Sequence, residues 1–206
     1  MIKNKTRKLV ELKGELVAGK ALDDRASVAA AAVCLEELGR VRHQWDVYAV
    51  ATVQEEVGYK GAFTSTYGLQ PDVGIAIDVT WAKQPGTPDE YTFELGKGPT
   101  ISRGPNFHPK LQDALVETAQ ALEMSYHVEV ATRPGGTDAY AIQISREGIP
   151  AGLLSIPQRN MHTPVETVSI RDVERVGRLL AAFIARLDDG FLASLSWDLG
   201  LEDEEE

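Results

Sequence analysis

Apolar and polar residues alternate along this chain with two different periods. Residues 9–18 alternate closely enough for one or two short strands around Gly14, whereas small and aliphatic residues dominate from Ala26 to Gly39, which predicts a buried helix. β-Branched and aromatic residues predict a central strand at Trp45–Val53 and another at Val73–Val79. Later segments repeat the alternation, with strands predicted at 126–131 and 151–156 and helices at about 109–124, 138–147 and 170–187.

This order of strands and helices indicates a single α/β domain. Its sheet is predicted to be largely parallel or mixed and to be covered on both faces by helices. The length and composition agree with that fold, because 206 residues with 43% hydrophobic content can bury a substantial core.

The charge, the cysteine content and the apolar stretches of the chain limit its possible partners and its compartment. A formal net charge of −10 argues against nucleic-acid binding, because phosphates require a basic surface. The single cysteine, Cys34, excludes an intrachain disulfide framework and favours a reducing compartment. No apolar stretch approaches the about 18 residues of a membrane span, and the start lacks a secretory signal, so a cytoplasmic protein without membrane contact is predicted. Residues 191–206 are predicted to form an acidic C-terminal tail.

Five side chains that can bind metal or transfer protons stand where hydrophobic stretches meet turns. A rigid scaffold can hold a ligand still at such positions. Two divalent ions about 3.5–4 Å apart require a bridging carboxylate, and such a pair can activate water for hydrolysis. The sequence therefore predicts a two-metal hydrolase site from Asp23, Glu55, Glu56, Asp78 and His162.

The roles of these residues follow in part from their neighbours. Asp23 is the candidate bridge, and Asp24 either orients it or caps the following helix. Adjacent residues of an extended segment point to opposite sides, so we assign Glu56 to a metal and Glu55 to the general base. Taken singly, each residue also has an ordinary interpretation as a helix cap, an exposed acid or a surface histidine.

Four strings of residues follow one another along the chain in a recognisable order. They are Gly19-Lys-Ala-Leu-Asp-Asp-Arg25, Val53-Gln-Glu-Glu-Val-Gly-Tyr-Lys-Gly-Ala62, Gly135-Gly-Thr-Asp-Ala139 and Arg159-Asn-Met-His-Thr-Pro-Val-Glu166. These strings resemble the successive motifs of the dinuclear metallo-aminopeptidases that include glutamyl, leucyl and deblocking aminopeptidases and the TET particles. Some members of that family carry the label cellulase M or endoglucanase. The similarity spans about residues 9 to 187.

The resemblance implies a three-layer α/β/α zinc-peptidase-like domain that removes N-terminal residues from peptides. It implies that Asp23 bridges two ions, that Glu56 and His162 complete one of them, and that Asp78 serves the other. Glu55 would be the general base, and an unusual peptide bond would join Asp23 to Asp24. The loop of Gly136, Thr137 and Asp138 would lie near the substrate. Zinc or cobalt are the expected ions, with manganese as a further candidate, and relatives form homo-oligomers.

The chain departs from the family's pattern before Asp23. Family members carry a His-x-Asp motif upstream, followed by a small β-rich dimerisation domain, and neither stands in this sequence. We therefore expect residues 1–190 to form the C-terminal part of a catalytic domain whose second metal site is weaker and whose oligomeric state is open. Two alternatives remain: a metal-binding remnant or subunit with little activity, and a glycoside hydrolase that uses two carboxylates.

Overall fold

Residues 9–196 are described by the structure, which is a computed structural model. Strands and helices alternate along most of this length, as the hydrophobic pattern predicts. The strands are β1 (Val10–Leu12), β2 (Leu16–Gly19), β3 (Gly74–Trp81), β4 (Thr100–Arg103), β5 (His127–Val130), β6 (Ala151–Arg159) and β7 (Glu166–Ser169). The helices are α1 (Leu22–Leu38), α2 (Lys60–Leu69), α3 (Pro109–Ala121), α4 (Asp138–Gln143), α5 (Ile170–Ala185) and α6 (Phe191–Leu195), with 3₁₀ turns at Glu55–Val57 and Asp89–Tyr91.

The seven strands form one mixed sheet with β6 at its centre. All of β3 pairs with β6 in parallel, while β4 and β7 pair antiparallel with successive parts of the other edge of β6. Beyond them, β5 runs parallel to β4, and the β1–β2 hairpin joins β7. The predicted mixed sheet is therefore confirmed.

The side chains of β6 divide between two apolar layers, as the period of a strand requires. Leu154 and Ile156 join the large cluster with α1, α3 and α5, whereas Ala151 and Leu153 join a smaller cluster with α4. Helices thus cover both faces of the sheet, which confirms the three-layer α/β/α fold. On β3, Asp78 shares its face with Ala76, which belongs to the smaller cluster.

The central strand predicted at Trp45–Val53 is wrong. These residues form no strand, and most of them, including Tyr48 and Val50, are exposed. Their β-branched composition favours extended backbone, but a strand also needs a partner, and within the described part of the chain no other strand pairs with 46–52. The ends of the segment are held: the Trp45 indole donates to the Asp188 carbonyl at 3.2 Å, and the Val53 carbonyl accepts from Gly61 at 2.9 Å.

Strand β6 continues through Pro157, although the sequence predicts its end at Ile156. The Gln158 carbonyl accepts from Ala82 on the β3 side at 2.9 Å, so Pro157 faces the opposite edge. On that edge β4 pairs only as far as Ser155, and the pairing with β7 begins at Gln158. The missing N–H of proline therefore falls between two partners and costs no ladder hydrogen bond.

Helical structure continues beyond residue 190, where the sequence predicts the start of the tail. Phe191–Leu195 forms α6, where Leu195 is 4% exposed and Phe191 packs against Trp45 with ring centroids 6.0 Å apart. Residues 197–206 of the predicted acidic tail lie outside the described residues. Across positions 9–196, no helix is long and apolar enough to cross a membrane.

Helices α1 and α5 pack closely because α5 has glycine at the contact. A Cβ on Gly177 would lie 2.5 Å from the Ala30 carbonyl oxygen and 2.7 Å from the Val33 Cβ. Real Cβ atoms do not approach other atoms so closely, so any larger residue would push the helices apart. Asp23 and Asp24 stand in the first turn of α1, so this contact also limits the movement of the candidate site.

We predict that Gly177→Ala lowers the free energy of unfolding by about 1–3 kcal/mol, because overpacking outweighs the gain in helix propensity of about 1 kcal/mol. Gly68→Ala in α2 is the matched control, since a Cβ there meets nothing within 4 Å. The control should raise the free energy of unfolding by up to about 1 kcal/mol. Urea unfolding measures both, and a stabilised Gly177→Ala variant would contradict the close packing.

Candidate metal centre

Asp23 and Asp24 serve different purposes at the start of α1. Both have non-helical backbone angles, and the peptide bond between them is cis, as the resemblance implies. Asp24 Oδ1 accepts from the Ser27 amide at 3.1 Å, so Asp24 caps the regular part of the helix. The Asp23 side chain, which is only 7% exposed, instead faces His162.

One group of possible ligands combines an imidazole with two carboxylates. His162 Nε2 lies 3.2 Å from Asp23 Oδ2 and 3.8 Å from Glu56 Oε2. The three ligand atoms lie within 4.8 Å of one another. The structure thus brings together three residues that are far apart in sequence, and this nitrogen and oxygen donor set fits zinc, cobalt or manganese.

A second group shares Asp23 with the first. Ligand atoms of Asp23, Asp24 and Asp78 also lie within 4.8 Å of one another. Asp23 is the member common to both groups, which is the position that a bridging carboxylate requires. Asp24 joins this group although the sequence assigns it only an orienting or capping role.

The carboxyl groups of this second group resist ionisation. The pKa of Asp78 is raised to about 9, mainly by burial. The negative charges of Asp24, Glu55 and Asp23 raise this pKa further. Burial likewise raises the pKa of Asp24 to about 7 and that of Asp23 to about 6, with Glu56 contributing to the latter. A divalent cation among these groups would favour their ionised forms, so the donor set fits the charge of such an ion.

Glu55 and Glu56 begin the 3₁₀ turn after Gln54. The Glu56 side chain is 57% exposed and reaches toward His162. Burial, followed by the charges of Asp138 and Glu56, raises the pKa of Glu55 to about 7. A carboxylate with that pKa suits proton transfer near neutral pH.

The loop before α4 is bonded to the segment around Glu55. The Gly136 amide donates to the Tyr59 hydroxyl at 3.0 Å, and Thr137 caps α4 by accepting from the Ala139 amide at 3.3 Å. Asp138 Oδ2 accepts from the Thr52 hydroxyl at 2.5 Å. These bonds tie the predicted substrate-side loop to the segment that carries Glu55.

The sequence assigns no role to Glu166, yet this residue contacts both the segment of Asp23 and the segment of His162. It is 3% exposed, and its carboxylate accepts from the amides of Leu22, Asp23 and His162. The signal available in the sequence is a charged residue at the first position of a strand that is otherwise uncharged. Two of its three partners, Leu22 and Asp23, lie too far along the chain to be inferred from spacing.

Comparisons with known proteins agree on one family. The family profile described as M42 glutamyl aminopeptidase matches residues 4–179. A lysyl aminopeptidase of Pyrococcus furiosus is 45% identical over 166 residues, which cover 81% of this chain and 47% of that protein. The chain thus spans about half the length of this relative.

Two solved structures show the same fold. The aminopeptidase APDkam598 from the archaeon Desulfurococcus kamchatkensis is 41% identical with a TM-score of 0.83, over 94% of this chain and 55% of that one. The TET1 peptidase of Pyrococcus horikoshii, which can assemble into a tetrahedron or a large octahedral shell, is 30% identical with a TM-score of 0.73, over 87% and 53%. The extent of these matches shows that the chain belongs to the M42 glutamyl aminopeptidase family.

Proposed function

We propose that this chain carries the metal centre and general base of an aminopeptidase that removes N-terminal residues from peptides. The observation that supports this most is the pair of ligand groups that share Asp23. Family membership supports the reaction class, since relatives include lysyl and glutamyl aminopeptidases. A cytoplasmic location stays a prediction. Self-association of this chain also stays a prediction, and light scattering tests it.

Two divalent ions would be held by the described side chains. Asp23, Glu56 and His162 would hold one ion, and Asp23 and Asp78 the other, with Asp24 beside them. When bound, such ions polarise a carbonyl and lower the pKa of a nearby water. Because the first group contains an imidazole and the second only carboxylates, we expect the first to bind zinc or cobalt more tightly.

Glu55 is the proposed general base. Its carboxylate takes a proton from the attacking water and returns it to the leaving amine. In the metal-free chain, burial and the neighbouring carboxylates raise the pKa of Glu55 to about 7. The loop of Gly136, Thr137 and Asp138, which is tied to the same segment through Thr52, is proposed to border the substrate.

One observation favours a second candidate function, a metal-binding chain with little turnover. The group of Asp23, Asp24 and Asp78 contains carboxylates alone, so a second ion would bind weakly. Zinc titration that finds about one ion per chain, with no hydrolysis at saturating metal, would favour this candidate. A glycoside hydrolase fits less well, because a histidine at 3.2 Å from Asp23 adds nothing to two-carboxylate chemistry.

We predict that Glu55→Gln lowers the rate of aminoacyl-anilide hydrolysis by about 100-fold or more, because the amide keeps the shape but cannot accept a proton. Its zinc content should equal that of the wild type. Glu56→Gln is the matched control at the adjacent position, and it should lose zinc as well as activity. Turnover is measured at saturating zinc or cobalt, and zinc content by metal analysis of the purified chains.

Three outcomes would contradict these assignments. Loss of zinc from Glu55→Gln with retention in Glu56→Gln would show that the two roles are exchanged. Unchanged turnover in Glu55→Gln would remove the proposed base. Turnover that survives a chelator would contradict the metal dependence itself.

Asp78→Asn is predicted to stabilise the metal-free protein and to weaken metal binding. The folded pKa of Asp78 is about 9, well above its ordinary value, so the folded state holds a proton that the unfolded state releases. This contribution to stability is complete below the ordinary pKa of an aspartate and is lost as the pH rises toward 9. The asparagine variant avoids the loss and should melt at least about 2–4 °C higher than the wild type at pH 8, which corresponds to about 1 kcal/mol.

The difference in melting temperature between Asp78→Asn and the wild type should be smaller at pH 5.5. Asp113→Asn is the control, since that side chain is 57% exposed on the surface of α3. Zinc should raise the melting temperature of the wild type more than that of Asp78→Asn. If Asp78→Asn is less stable than the wild type at pH 8, the predicted destabilisation by the buried Asp78 carboxylate is wrong.

A further inference from the structure

Glu166 lies at the first position of β7, opposite Gly19 of β2. Its Oε2 accepts from the Leu22 amide at 2.6 Å and from the Asp23 amide at 3.2 Å. Its Oε1 accepts from the His162 amide at 3.1 Å. One buried carboxylate therefore contacts the backbone of two proposed metal ligands from different parts of the chain.

The two segments that Glu166 joins have strained backbone at the points of contact. Ala21, immediately before Leu22, and His162 both lie in the left-handed region, with φ of 52° and 61°. Non-glycine residues adopt this region when surrounding contacts hold them. The Glu166 carboxylate supplies such contacts at both segments. The side chains of these segments meet at the centre, where His162 Nε2 lies 3.2 Å from Asp23 Oδ2.

We propose that Glu166 is a positioning residue that fixes the separation of Asp23 and His162 for metal binding. The inference rests on the proposed metal centre, although Glu166 itself is not one of its ligands. Residues that orient ligands in this way tune metal affinity in proteins.

Both oxygens of Glu166 are needed for this role. Glutamine offers one acceptor oxygen, and its NH₂ group cannot accept from a backbone amide, so one of the two segments is released. Aspartate keeps the charge and both oxygens but is shorter by one methylene, about 1.5 Å, so it cannot reach both segments. The two variants therefore separate position from charge.

The experiment measures the zinc dissociation constant by competition with a chelating dye, and the visible spectrum of bound cobalt as a report of ligand geometry. Glu166→Gln and Glu166→Asp should each weaken zinc binding by about 10–100-fold and alter the cobalt spectrum. Asp172→Asn is the matched control. Asp172 is 0% exposed and accepts from the amides of Gly96 and Gly98 at 2.6 and 3.0 Å, but it contacts none of the proposed ligands.

The control should lose thermal stability as the Glu166 variants do, yet bind zinc as the wild type does. If Glu166→Gln does not fold, Glu166→Asp alone decides between position and charge. Wild-type affinity in Glu166→Asp would overturn the proposal, because the charge alone would then suffice. Equal weakening in Asp172→Asn would also overturn it, because general destabilisation would explain the loss. A wild-type chain that binds no zinc would overturn the metal centre and this role together, which distinguishes that failure from the others.

Discussion

Burial and mutual repulsion of carboxyl groups are the constraint around which the centre is built. Burial raises the pKa of Asp23, Asp24, Glu55 and Asp78, and the charges of neighbouring carboxylates add to the effect in every case. Without a bound cation, such an arrangement lowers the free energy of unfolding. A bound cation would turn the same repulsion into attraction, which is the physical reason to interpret the cluster as a metal centre.

The fold withstands this repulsion through contacts with the backbone. Asp24 accepts from the Ser27 amide and Asp78 from the Val79 amide. Glu166 accepts from the amides of Leu22, Asp23 and His162. Behind these residues, the close contact of α1 with α5 at Gly177 leaves α1 little freedom to move. The charged side chains are therefore held by rigid elements on the buried side, while Glu56 and His162 remain accessible on the other.

Local patterns are enough to predict most of the sheet and the long helices. The periods of α1, β3 and α5 belong to single segments, so they are readable without knowledge of the rest of the fold. Trp45–Val53 shows where this fails, because a strand exists only with a partner. Pro157 shows the converse. A proline usually interrupts a strand, but it is tolerated here because the two neighbouring strands leave a gap beside it.

The candidate site is likewise predictable only where local patterns reveal its residues. Acids and a histidine at turns identify Asp23, Glu56, Asp78 and His162 as a set, and their atoms do converge in two groups, although their roles stay predictions. Glu166 was missed because its function depends on contacts with residues 143 and 144 positions away, which no local pattern encodes.

A crystal structure of the zinc-loaded chain, with ions located by anomalous scattering, tests the central claim most directly. We predict one strong peak about 2.0–2.2 Å from ligand atoms of Asp23, Glu56 and His162. A second, weaker peak should lie between Asp23 and Asp78. Zinc bound elsewhere, or a strong peak that Asp23 does not contact, would contradict the account.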